Sequence, residues 1–145
     1  MSPLFRPARS ALLLLLLAGC GTVKSPTEPP AAPGVEGTAF TFARIQAEIF
    51  TPTCAKAGCH AAAAASAGLV LEAGRSHGEL VNRSATEAGL DRVEPGDPER
   101  SYLILKLRGD PAITGQRMPL DGPPYLTPEQ ISGIAAWIRA GAPND

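Results

Sequence analysis

Two cysteines and a histidine stand close together in the chain, as Cys54-Ala55-Lys56-Ala57-Gly58-Cys59-His60. Thiols at this spacing can close a disulfide, can join histidine around a zinc ion, or can form thioethers with the two vinyl groups of a haem. The third chemistry asks most of the sequence, because an adjacent histidine must then reach the iron from the same side. The usual pattern is Cys-x-x-Cys-His, and here the spacer has four residues. The link that must stay rigid is second cysteine to histidine, and Cys59-His60 keeps it. The spacer, Ala-Lys-Ala-Gly, is small and flexible enough to bulge outward. A zinc site would have only His77 left as a fourth protein ligand, since the chain has two histidines.

Iron used purely for electron transfer needs a second axial ligand, and Met118 is the candidate. It lies in Gly115-Gln116-Arg117-Met118-Pro119, just before the last apolar segment. A core methionine would sit on a periodic apolar face; this one is flanked by Arg and Pro. The competing reading is a loop methionine that covers the core. His77 is a second candidate for the same position, but its Gly-flanked polar surroundings point to the surface. Arg117, Tyr102 and Lys106 could donate hydrogen bonds to haem propionates, or be ordinary solvated residues, which is preferred. No Ser-His-Asp order, phosphate loop or carboxylate pair with a pocket is present, so hydrolytic chemistry has no visible machinery.

The elements that must position these residues read as helices. Phe42, Ile45, Ile49 and Phe50 share one helical face, and Pro52 is expected to stop that helix just before Cys54. The alanine run 61–65 fits a helix or a close-packed loop. From Leu69 to Asp91 short apolar clusters between glycines suggest loops, with one short helix at 76–82. Asp97-Pro98-Glu99 supplies a cap, a first-turn proline and an acid, and Gly109 closes the helix that carries Tyr102 to Leu107. Thr127, Pro128 and Gln130 make a capping box ahead of Ile131, Ile134, Ala135 and Ile138, with Trp137 beside them and Gly141 at the end. No segment alternates as a strand, so the expected class is all-α.

Aromatics make up 5% of the chain. A core poor in aromatics gains from a large flat cofactor, although Leu, Ile, Val and Ala could fill it as well. The net charge of −1 argues against nucleic acid as the main partner. At the N-terminus Arg6 and Arg9 precede an apolar run, Ala11 to Leu17, too short to span a bilayer. It ends in Leu17-Ala18-Gly19-Cys20, which resembles the bacterial lipobox. That resemblance implies a lipoprotein signal peptide over 1–19, lipidation of Cys20 and anchoring to a membrane of the cell envelope. The domain would face the periplasm or the cell surface, and Gly21 after the cysteine leaves outer-membrane sorting open. Residues 20–38 are rich in Pro, Thr, Gly and Ala and read as the lipidated cysteine and its tether, with one domain over 39–145. Lipidation of Cys20 also leaves Cys54 and Cys59 as a pair in an oxidising compartment.

Taken together, the helix leading into Cys54…Cys59-His60, the Met118-Pro119 loop and the closing Leu126-Thr127-Pro128-Glu129-Gln130…Trp137-Ile138-Arg139-Ala140-Gly141 helix resemble a small monohaem c-type cytochrome domain. The similarity covers about residues 40–145 and is strongest at its two ends. It implies an all-α, cytochrome c-like fold wrapped around one covalent haem c, with Cys54 and Cys59 as thioethers. His60 and Met118 would be the axial iron ligands, and the first and last helices would cross beside the haem. The implied function is single-electron transfer to redox partner proteins of the cell envelope. Two alternatives stay open: a disulfide-stapled binding or scaffold lipoprotein without haem, and a five-coordinate haem peroxidase with Met118 unbound.

Overall fold

The computed structural model describes residues 40–145. The expected signal peptide, the lipidated Cys20 and the tether lie outside the described residues. Within the described part the backbone is helical, with long irregular connections and no strand element. The helices are α1 (Phe42–Ile45), α2 (Ser76–Leu80), α3 (Tyr102–Arg108) and α4 (Pro128–Arg139). Extended pairing is limited there to two isolated bridges, Val81 with Val93 and Ser84 with Asp91.

The first helix is capped as a helix should be, with Arg44 N donating to Thr41 Oγ1 at 3.2 Å. Its expected end at Pro52 is corrected by the structure. The chain runs on from α1 as a π-helical stretch, Gln46–Cys54, with Pro52 inside it. Proline lacks an N–H, and in an α-helix its ring meets the carbonyl four residues back. Wider winding, in which bonds reach five residues back, relieves that conflict. Ala55 N donating to Phe50 O at 2.8 Å has this reach. Cys54 is therefore the last residue of a helix, and its position is set by that helix.

A buried polar network ties this stretch to the middle of the chain. Gln46 Nε2 donates to Thr51 Oγ1 and to Leu71 O, both at 3.0 Å. Its Oε1 accepts from the hydroxyl of Ser76, the fully buried first residue of α2. The short helix expected at 76–82 is present as α2, and the run 61–65 is a series of turns.

The helix expected from Asp97 to Gly109 is split. A 3-10 turn, Pro98–Arg100, is capped by Asp97 Oδ1, which accepts from Glu99 N and Arg100 N, both at 3.1 Å. Ser101 then turns extended (φ −90°, ψ 114°) before α3 begins. Its buried hydroxyl donates to Asp97 O at 2.8 Å and accepts from Glu94 N at 3.0 Å, so it competes with the helical ladder. Gly109 (φ +74°) ends α3 in the left-handed conformation expected of it.

The capping box of α4 is complete: Gln130 N donates to Thr127 Oγ1 at 3.2 Å, and Thr127 N donates to Gln130 Oε1 at 2.9 Å. Thr127→Ala removes one side of it and is expected to cost about 1 kcal/mol, lowering Tm by roughly 4–8 °C. A circular-dichroism melt checks this, with Thr127→Ser as the near-neutral control.

Helices α1 and α4 meet as the two apolar stripes imply. The rings of Phe42 and Trp137 lie 5.3 Å apart, and Ile45, Ile49, Phe50, Ile134 and Ile138 are buried in one cluster with Ile104 and Leu107 of α3. Gly133 lets the ring of Phe40 lie directly on α4, because a Cβ there would collide with it. Among the described residues no helix is long and apolar enough to cross a membrane.

Candidate functional site

The end of the π-helical stretch, the turn that follows it, α3 and the loop before α4 surround one open cleft. Phe50, Leu69, Leu71, Leu80, Leu103 and Leu107 give it mostly apolar walls. Cys54, Cys59, His60 and Met118 all line it. Residues selected from distant parts of the sequence are thus brought to a single space.

Four backbone bonds hold Cys59 and His60 in place. Cys59 N donates to Lys56 O (3.0 Å) and His60 N to Cys54 O (3.1 Å), while Cys59 O accepts from Ser66 N (3.0 Å) and His60 O from Leu71 N (2.8 Å). The His60–Cys54 bond pinches the spacer at its base, so Lys56, Ala57 and Gly58 loop outward and are exposed. Gly58 has φ +80°, a conformation that any side chain would strain. His60 Nδ1 lies 3.2 Å from Leu69 O. A carbonyl can only accept, so Nδ1 carries a proton, and in the neutral ring Nε2 is the nitrogen with the lone pair.

Both cysteines are free thiols and half-buried. Burial pushes the Cys54 thiol up to about 12, against a smaller opposing pull from Lys56. Ionisation alone then makes Cys54 of the haem-free protein react with iodoacetamide at pH 8 about a thousandfold more slowly than in denatured chain. Peptide mapping of an alkylation time course measures this; equal rates would contradict the buried placement.

Met118 is half-buried, and its segment is strung along α3. Met118 N donates to Lys106 O at 2.9 Å, and Arg117 Nε donates to Leu107 O at 2.8 Å. Arg117 does not line the cleft; its guanidinium sits over Tyr125, 4.2 Å from the ring centre. Tyr102 and Lys106 do line it, but their polar ends are engaged. Lys106 Nζ donates to Thr114 O at 2.7 Å and pairs with Glu87 at 3.3 Å, and Tyr102 Oη accepts from Thr114 N at 3.0 Å. These contacts hold the loop that leads to Met118.

His77 is placed elsewhere. It packs edge-on against Phe42 with ring centres 5.0 Å apart, and its Nε2 donates to Ala142 O at 2.9 Å. The surface position expected for it is corrected to a half-buried one at the α1–α4 contact. Among the described residues no three His, Cys, Asp or Glu side chains gather as an ion site, so a zinc centre of Cys54, Cys59, His60 and His77 is not formed.

Sequence reasoning missed two features of the cleft. Arg92 is buried in its wall and donates to Glu79 O (2.8 Å), Ala67 O (3.2 Å) and Gly68 O (3.2 Å). No periodicity around Arg92 signals burial. At the mouth, Lys56 Nζ pairs with Asp121 Oδ2 at 3.0 Å. The hydrogen bond between them holds Lys56 above its usual range and Asp121 below its own. The pair is therefore intact at neutral pH, and is lost as pH falls through the lowered Asp121 value or rises through the raised Lys56 value.

No protein-family model, curated protein or solved structure matches the chain.

Proposed function

We propose that this domain carries one covalent haem c in the cleft and works as a single-electron carrier of the bacterial cell envelope, tethered by lipid at Cys20. The observation that carries the reading is the convergence of Cys54, Cys59, His60 and Met118 on one apolar cleft. Haem supplies a one-electron couple at its iron. The chain's own residues hold, orient and shield it.

The two thiols are free, as thioether formation requires. Cys54 and Cys59 would hold the haem through thioethers, formed by adding each S–H across a vinyl double bond, which would consume no oxidant. The outward loop of the spacer leaves Cys59 and His60 adjacent and pinned, which is the part of the motif that cannot vary. His60 offers Nε2 because Leu69 O holds Nδ1–H. This second bond also orients the ring, as partners of ligating histidines do. Met118, on the loop strung along α3, would serve as a second iron ligand. With His60 and Met118 both serving as ligands, substrate would be kept from the metal, which would favour electron transfer over catalysis.

His/Met ligation raises the potential, and the leucine walls act the same way by disfavouring the added positive charge of the oxidised state. The open mouth gives an edge for electron exchange with redox partner proteins of the envelope, with no role for nucleic acid. A haem-stained denaturing gel and a pyridine haemochrome spectrum, on protein made with c-type maturation, test the reading. Covalent haem is the expected result; colourless protein would overturn it.

A further inference from the structure

We propose that the four-residue spacer is a latch, in which Lys56 grips Asp121 across the mouth of the cleft and holds the Met118 segment closed against small ligands. The inference rests on the haem reading and deepens it by naming what controls access on the Met118 side. Lys56 and Asp121 are positioning residues, because neither touches the iron.

The geometry runs through both lips of the cleft. Lys56 and Asp121 stand 65 positions apart in sequence and 3.0 Å apart in space. Lys56 rides on the outward loop, whose base is fixed by the bonds from Cys59 N to Lys56 O and from His60 N to Cys54 O. Its anchor is therefore rigid even though its side chain is exposed. Asp121 lies three residues beyond Met118, and both line the cleft. Before Met118 the segment is tied to α3 through Lys106 O and Leu107 O. After it, among the described residues, the backbone turns on itself with Gly122 N donating to Pro119 O at 3.2 Å. Leu120, between the buried Pro119 and the exposed Asp121, is 60% exposed. The Lys56–Asp121 pair thus ties this stretch to the spacer loop, whose Gly58 also lines the cleft. The lengthened spacer carries a cation out over the mouth, which gives its extra length a use.

An exposed ion pair is individually weak and screened by salt. That suits a latch, which shifts an opening equilibrium a few-fold without locking it. The test titrates the ferric holoprotein with imidazole, followed by visible absorption. It compares wild type, Lys56→Gln, Asp121→Asn, Lys56→Arg and the exchanged pair Lys56→Asp/Asp121→Lys. The single neutral variants are expected to bind imidazole about two- to fivefold tighter. Lys56→Arg and the exchanged pair should return to the wild-type affinity, and added salt should raise affinity in wild type but not in the neutral variants. Unchanged affinity in the neutral variants, or no recovery in the exchanged pair, overturns the latch. A protein without haem removes the parent reading alone. The latch is then decided by amide exchange at Met118 and Gly122: about two- to fivefold faster exchange in the neutral variants supports it, and equal rates overturn it.

Discussion

Replacing His60 with glycine is expected to cut the yield of stable low-spin holoprotein by more than about tenfold, with added imidazole restoring much of the spectrum. The expectation follows from what His60 does twice over. Its Nδ1 is held by Leu69 O at 3.2 Å, which leaves Nε2 as the nitrogen available for a ligand bond. Its backbone is held by Cys54 O and Leu71 N, and those bonds survive the substitution because they use main-chain atoms. If His60 ligates haem iron as proposed, the cleft would keep its shape while losing a ligand, which is the condition for rescue from solution. Losing the ring also strips Leu69 O of its partner, a cost of order 1–3 kcal/mol if water cannot replace it. Imidazole separates the two effects, since it refills the iron position without mending the chain. Spectra taken with and without imidazole measure this, and wild-type spectra in the variant alone would contradict the role given to His60.

Met118→Ala is expected to lower the reduction potential by on the order of a hundred millivolts, since axial ligand choice moves haem potentials over a wide range. The same variant should bind small exogenous ligands that wild type resists. Its backbone hydrogen bond to Lys106 O is independent of the side chain, and Arg117 still ties the segment to Leu107 O. The loop should hold its course, so the change isolates the thioether. Spectroelectrochemistry checks the potential. A variant with unchanged potential and spectrum would mean that Met118 merely covers the core.

Much of the helical frame was legible because its signals are local. Thr127 and Gln130 satisfy each other within one turn, Gly109 supplies a left-handed end, and the stripes at Phe42/Ile45/Ile49 and Ile134/Trp137/Ile138 pack together. The failures share a physical cause. Pro52 predicts a stop only if the helix stays α, and a change of winding at Gln46–Cys54 lets it continue. Ser101 breaks a helix because its hydroxyl finds better partners at Asp97 and Glu94, which sequence spacing does not reveal.

The site divides in the same way. Cys54, Cys59, His60 and Met118 carried signals in their type and neighbours, and one cleft gathers them. Arg92, Leu69 O and the Lys56–Asp121 pair carried none, since a buried cation, a backbone carbonyl and a cross-lip ion pair exist only once the chain is folded. The same holds for His77, whose Gly-flanked setting suggests solvent until Phe42 and Ala142 close around it.

Whether haem is joined to Cys54 and Cys59 is decided by the intact mass of the denatured protein, made with c-type maturation. The chain is expected to retain the added mass of one haem after denaturation, with peptide mapping placing it on the segment with Cys54 and Cys59. A chain without that mass, short of its reduced mass by one pair of hydrogens, would place a disulfide there instead and contradict it.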